Sequence, residues 1–481
     1  MGMSRKSIGD WFAETFHLKD IPFMGVPTYM FSIEYWLGGI ASAALFWQAL
    51  TGLLMLLYYQ PSDAYDSTMA IIHSVPFGSV LLSSHLYGAY IMILAVYIHG
   101  LHVYFKGAYK KPRQFQWVLG VLMFAMVMIT SFVGYSMTGD VLGTDAVDVG
   151  KGILASIHLS VLTPIFFGNG TELDLFTRLL GWHIILVTLV VLLFALHFYL
   201  AEQNGFMPDL KEAKYKAPAV LRKDDARIKP WWPRNFIFMI GIVTLTWGII
   251  LMLPSILALP QIVDKVPILF SPYPGPSPAS PQASLVPAYP PWFFLFMYKM
   301  ADMPFPLAVD VSMGALIPLV VLIVVPFIDR NEELHPLDRP FLTALFITGL
   351  TWLIELSIWG AGQPGVPVKP IWLLLVIIPP FIISFGGIYL LHLMWRSIKP
   401  KVINADPGDK TTASNVAEDK VDKLLSALSI IVTAVAVIIL LLSFSLNPIT
   451  DGPLIGLSWS ALLLLFSADV FIYFRYELKQ R

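Results

Sequence analysis

Apolar residues gather into ten runs, near 34–59, 80–105, 115–136, 180–201, 234–254, 308–328, 340–359, 370–394, 424–445 and 454–475. Each approaches the ~20 residues that a helix needs to cross a hydrocarbon core. The pattern predicts an all-α polytopic membrane protein with about ten transmembrane helices. Polar breaks divide it into an N-terminal segment (1–33), a four-helix bundle (34–205), a linker (206–233), four further helices (234–396), a second linker (397–423) and a C-terminal helix pair (424–481). Basic residues concentrate in alternate loops, with Lys106, Lys110, Lys111 and Arg113 after the second run and a larger group after the fourth. By the positive-inside rule these loops and both termini are cytoplasmic, in a multi-pass protein of the cell membrane. Two opposite-face loops, 137–178 and 270–294, are too long to be simple connectors, and the second is dense in proline. Long ordered loops on one face suggest a binding site there.

Composition narrows the classes. The chain of 481 residues is 57% hydrophobic and 13% charged, against about 25% charged for a soluble domain. A net charge of -1 leaves no basic face for nucleic acid. Cysteine is absent, which excludes disulfides, Cys-ligated iron–sulfur clusters and covalent c-type haem on this chain. The first twenty residues lack the apolar core of a signal peptide.

The chemistry lies in the apolar runs themselves. The stretch "HLYGAYIMILAVYIHGLH" carries His85, His99 and His102, and "GWHIILVTLVVLLFALHF" carries His183 and His197. His85 and His99 are 14 residues apart, as are His183 and His197. At ~100° per residue that spacing returns to within ~40° of the same face, ~21 Å along the axis. His102 falls off the stripe. A lone histidine in a membrane helix is most simply a packing residue, but matched pairs on two helices are hard to explain that way. The two helices both start on the outer face, so His85 lies at the depth of His183 and His99 at that of His197. Imidazoles facing one another across a bundle suit axial ligation of haem iron. Gly38 and Gly52, and Gly120 and Gly134, repeat the interval of 14. Glycine stripes serve helix packing in membranes; the shared period favours clearance for a macrocycle.

With these features, "ALTGLLMLLYYQP", "GAYKKPRQFQWVLGV" and "FVGYS", the chain from about residue 25 to 395 resembles the cytochrome b family of quinol-oxidising bc-type complexes. The resemblance implies two non-covalent haem b groups, one held by His85 and His183 and the other by His99 and His197, with quinol and quinone as substrates. It implies a Rieske iron–sulfur protein and a c-type cytochrome subunit as partners, a homodimeric complex, and proton translocation coupled to electron transport in a respiratory or photosynthetic chain. The quinol site falls on Pro290, Pro291, Trp292 and Phe293, with Tyr135 and Asp140 beside it. Arg178 and Arg113 become candidates for haem propionates, and Lys229, Arg234, Asp224, Asp225 and Glu202 for the inner quinone site.

The departures matter equally. Where the family has Pro-Glu-Trp-Tyr, this chain has Pro290-Pro291-Trp292-Phe293, and proton removal from quinol needs a base. Asp140, Asp145 and Asp302 are possible substitutes. Thr138-Gly139 replaces the Pro-Trp before Asp140, Leu82 replaces an arginine, and Trp36 stands where the chloroplast type has its haem-attaching cysteine. A di-haem quinone-linked anchor of another oxidoreductase is the alternative, and a histidine-based proton transporter is a third reading.

Overall fold

The computed structural model describes residues 25–480 apart from 209, 211–212, 222–224, 259–273, 288 and 405–414, with backbone alone at 400–404, 415–424, 426 and 476–480. The expectations for residues 1–24, for Asp224 and for the middle of the second linker lie outside the described residues. The ends of the bundle are called outer and inner after the orientation expected from the basic loops.

The chain is built of helices. A two-stranded antiparallel pair, β1 (Gly25–Pro27) and β2 (Ile228–Pro230), closes the inner end. The first half holds α1 (Leu37–Met55), α2 (Ala64–Ser74), α3 (Gly78–Phe105), α4 (Gln114–Ser136), α5 (Val141–Ser156), α6 (Thr163–Phe167) and α7 (Glu172–Asn204). The second holds α8 (Phe236–Leu257), α9 (Leu295–Ala301), α10 (Leu307–Val311), which continues through a wider turn into α11 (Ile317–Ile328), then α12 (Pro340–Gly362), α13 (Pro370–Asn404), α14 (Asn415–Ser443) and α15 (Gly452–Gln480). Among the described residues, nine helical stretches are long and apolar enough to cross a membrane. The expected run at 424–445 lies on α14, whose described apolar part, Ala427–Ser443, is shorter.

Local sequence explains the ends. Thr171 caps α7 by accepting from the Asp174 amide (3.3 Å), and Gly205 ends the helix with φ +72°, a conformation costly for residues with a Cβ. The long outer loop folds into the surface helices α5 and α6, and the proline-rich loop leads through Trp292–Phe294 into α9.

Within the first half α1 packs on α3 and α4 on α7. Phe293 reaches inward to join a cluster of Ala44, Met92, Ile93, Val127, Val190 and Ile250, so the proline-rich loop is seated in the bundle core. The C-terminal pair also enters the bundle. Helix α15 lies along α8, where Leu464 sits over Gly248, and Val470 and Phe471 over Gly241. Ser460 and Ser467 donate to the Gly248 and Gly241 carbonyls, both at 2.8 Å. Small residues allow this approach, and buried hydroxyls strengthen it. Helix α14 is held to α15 through Ser429 and Thr433, which donate to Asp469 at 2.9 and 2.8 Å.

Candidate functional site

The histidines come together in the pairs that helical phase requires. His85 lies near enough to His183, and His99 near enough to His197 and to His102, for a charge on one ring to act on the other. Each of His85, His183, His99 and His197 is backed by a glycine of the neighbouring helix. A Cβ at Gly52 would lie 3.3 Å from His85 Cε1, one at Gly38 3.3 Å from His99, one at Gly120 3.3 Å from His197, and one at Gly134 only 2.8 Å from His183. The space the glycines leave is therefore taken first by imidazole rings, whose placement they permit.

The rings are also oriented. Thr51 Oγ1 donates its proton to the Trp47 carbonyl (2.7 Å), so at 2.9 Å from His85 Nδ1 its oxygen accepts the Nδ1 proton. His183 Nδ1 donates likewise to the Thr130 carbonyl at 3.1 Å. A histidine protonated on Nδ1 presents the Nε2 lone pair, the form a metal takes. Among the described residues no group of three or more His, Cys, Asp or Glu could hold a bare ion. Paired imidazoles with no further protein donor fit an iron whose equatorial ligands belong to a macrocycle. The residues present therefore fit haem. His102 turns elsewhere, its ring edge-on to Tyr35 at 6.3 Å.

At the outer end several expected residues hold the scaffold. Asp140 is fully buried; Oδ1 accepts from the Gly143 amide (2.8 Å) and the Thr138 hydroxyl (2.6 Å), and Oδ2 from the Gly275 amide (2.6 Å). It caps α5 and pins the proline-rich loop, and both oxygens point at protein. Tyr135 donates to the Tyr289 carbonyl (3.2 Å), next to Pro290. Pro291 is buried, Phe293 is 3% exposed, and Trp292 turns toward Tyr97. Arg178 pairs with Asp174 at 2.9 Å on the surface of α7.

Lys299 carries no signal in the sequence beyond being a basic outer-face residue, yet it is fully buried. Its Nζ donates to Asp302 (3.1 Å) and to the carbonyls of Gln363 (3.0 Å) and Val366 (2.9 Å), and lies over the Trp359 ring. Asp302 is thereby paired, and α9 is fixed to the loop between α12 and α13.

At the inner end Arg113 donates to the Gly205 and Ala219 carbonyls at 2.9 and 3.0 Å, tying down the chain after α7. Desolvation by burial pushes its guanidinium down to about 10. Asp225 is bound by Arg227, and Arg234 lies between Phe31 and Phe474. The inner candidates are thus spread over several separate contacts.

Comparison with known proteins points to one family. Residues 90–278 match the family described as cytochrome b (N-terminal)/b6/petB. A cytochrome b of Sulfolobus acidocaldarius is 43% identical over 405 residues, covering 80% of this chain and 71% of that protein. Cytochrome b6 of Synechococcus elongatus is 31% identical over 206 residues, 41% of this chain and 95% of that one. In structure, a chain of a hyperthermophilic respiratory Complex III aligns with a TM-score of 0.62 at 22% identity, over 81% of this chain and all of the other. With paired histidines in the first bundle and an extended likeness to a curated relative, the chain belongs to the cytochrome b family.

Proposed function

We propose that this chain is the quinol-oxidising subunit of a bc-type complex in the cell membrane, with both termini cytoplasmic. It takes electrons from quinol at the outer end, beside Pro290–Phe293, and delivers part of them to quinone at the inner end, releasing protons outside and taking them up inside. A Rieske iron–sulfur protein receives the other electrons and passes them to a c-type cytochrome, in a homodimer. The single observation that carries this reading is the double histidine pairing, each ring backed by glycine, at two depths of one bundle.

Haem b, held by His85 with His183 and by His99 with His197, would supply reversible one-electron transfer between the two faces. The chain's own part is to orient the rings through Thr51 and the Thr130 carbonyl, to exclude water with an aromatic and aliphatic core, and to seat Trp292 and Phe293 beside that core. An anchor of another oxidoreductase would share the haems and lack quinol oxidation; a transporter would lack pigment.

The test is a reduced-minus-oxidised spectrum of the purified complex with a potentiometric titration, followed by quinol oxidation assays. Two bis-histidine b-type centres with separate midpoints are expected. His183→Ala should remove one and His102→Ala neither; loss of a centre with His102 would sink the assignment.

A further inference from the structure

Lys299 is a cation closed off from water, on the short helix that follows the proposed quinol segment. An ammonium carries three donors, and burying it unpaired is costly. Here every donor is used. Nζ donates to Asp302 Oδ2 (3.1 Å) and to the carbonyls of Gln363 (3.0 Å) and Val366 (2.9 Å), with the centre of the Trp359 ring at 4.9 Å. No donor is left over for a ligand, so whatever Lys299 does for a reaction beside Pro290–Phe293 it does through the backbone it holds.

What it holds is the setting of α9 along its own axis. Sideways, the helix is wedged between two glycines. A Cβ at Gly360 of α12 would lie 2.5 Å from the Leu295 carbonyl oxygen and 3.4 Å from Lys299 Cβ, and one at Gly314, in the wider turn before α11, would lie 2.8 Å from Met300 Sδ. Apolar packing is non-directional, so these faces resist separation more than sliding. Lys299 opposes the slide, because its two carbonyl partners belong to the loop between α12 and α13. The Val368 amide of the same loop donates to the Asp302 carbonyl at 2.8 Å. Tyr298 meets this loop as well, since a Cβ at Gly365 would fall 3.7 Å from its hydroxyl.

Helix α9 is continuous with the segment it must place. The Trp292–Phe294 turn runs into Leu295 without a break in helical backbone, and the Phe294 amide donates to the Pro291 carbonyl at 2.8 Å. Lys299 and Phe293 therefore stand ~10 Å apart along one short rod. At the far end of that rod the Phe293 ring meets Tyr90 at 5.7 Å, and the Trp292 ring meets Tyr97 at 6.4 Å. A slide of α9 at Lys299 is a slide of both side chains.

We propose that Lys299 is a positioning residue for quinol: it holds α9, and with it Trp292 and Phe293, at the setting in which those side chains wall the quinol site. The assignment rests on the quinol-oxidising reading above. Side chains that wall a site touch bound substrate and transition state alike, so displacing them weakens binding more than it slows the chemistry. A clamp that served stability alone would leave quinol affinity where it is.

The experiment is steady-state quinol oxidation by the purified complex, with KM and kcat separated and haem spectra and a thermal midpoint recorded for each variant. Lys299→Met keeps the apolar stem and removes all three bonds, while the Asp302 side chain, 13% exposed, and the exposed loop residues Gln363 and Val366 can turn to water. Its KM for quinol should rise at least tenfold, with kcat within about threefold of wild type and both haem spectra intact. Gly360→Ala pushes on the Leu295 carbonyl and touches no charge; it should raise KM as well, and it carries the test if Lys299→Met does not assemble. Arg339→Met is the control for lost stability, since Arg339 is a buried arginine of the inner end that donates to the Tyr104 and Leu334 carbonyls; it should leave KM unchanged. A wild-type KM in Lys299→Met, or in Gly360→Ala where that variant alone assembles, would overturn the positioning role and leave the quinol reading standing. So would a KM raised equally by Arg339→Met. A wild-type complex that oxidises no quinol would overturn both.

Discussion

At the scale of the residue, the tightest fit among the four glycines that back a histidine is Gly134 against His183. A methyl group there would begin 2.8 Å from Cε1, inside the distance any Cβ tolerates, and the ring cannot retreat without breaking its bond to the Thr130 carbonyl. Gly134→Ala should therefore lower retention of the outer haem, seen as a reduced ratio of that centre to the inner one in the difference spectrum. Gly120→Ala, at 3.3 Å, should be milder. Equal retention in both variants would contradict the clearance argument. The four histidines and four glycines were legible in the sequence because a helical period converts spacing into direction. What spacing cannot convey is a partner on another element. Hence Thr51 as an acceptor for His85, Lys299 as a buried clamp, and the use of Asp140 and Arg113 on protein rather than on ligands became visible only with the fold.

At the scale of the element, apolar runs revealed the helices but not which of them are enclosed, since lipid and protein interior select the same side chains. Helix α15 illustrates the limit. Its period was present, with Gly241 and Gly248 seven residues apart on α8, and Ser460 and Ser467 seven apart on α15, but a small-residue stripe on one helix does not name the helix it meets. The contact predicts its own failure. A Cβ at Gly456 would fall 2.0 Å from Ser255 Oγ, so Gly456→Val should force the helices apart at a cost of about 1–3 kcal/mol. The expected outcome is a lower thermal midpoint of the purified complex with unchanged haem spectra. An unchanged midpoint would mean that α15 is dispensable to the bundle.

At the scale of the whole molecule, the two halves of the chain are joined at both ends. Outside, Asp140 holds Gly275 and Tyr135 holds Tyr289. Inside, Asp329 from the second half accepts from Tyr109 (2.6 Å) and pairs with Lys110 (3.0 Å), both from the first. Arg339 completes this knot: it contacts Tyr109, stands 3.6 Å from Asp329, and donates to the carbonyls of Tyr104, Phe105 and Leu334. All of these charges are nearly or fully buried. Removing one member of such a network costs about 3–5 kcal/mol. Arg339→Met should lower stability by that order, measured as a shift of the thermal midpoint, and should increase proteolysis at the inner loops. A change below about 1 kcal/mol would place it with exposed ion pairs, whose worth is small.

The seating of α15 on α8 also bears on how the protein is made. Nearly two hundred residues separate the end of α8 from the start of α15, and at ~5–20 residues per second their synthesis takes ~10–40 s. Throughout that interval Gly241 and Gly248 face lipid or the insertion machinery. The bundle is thus assembled around an open seam, and its closure waits on the arrival of the last described helix.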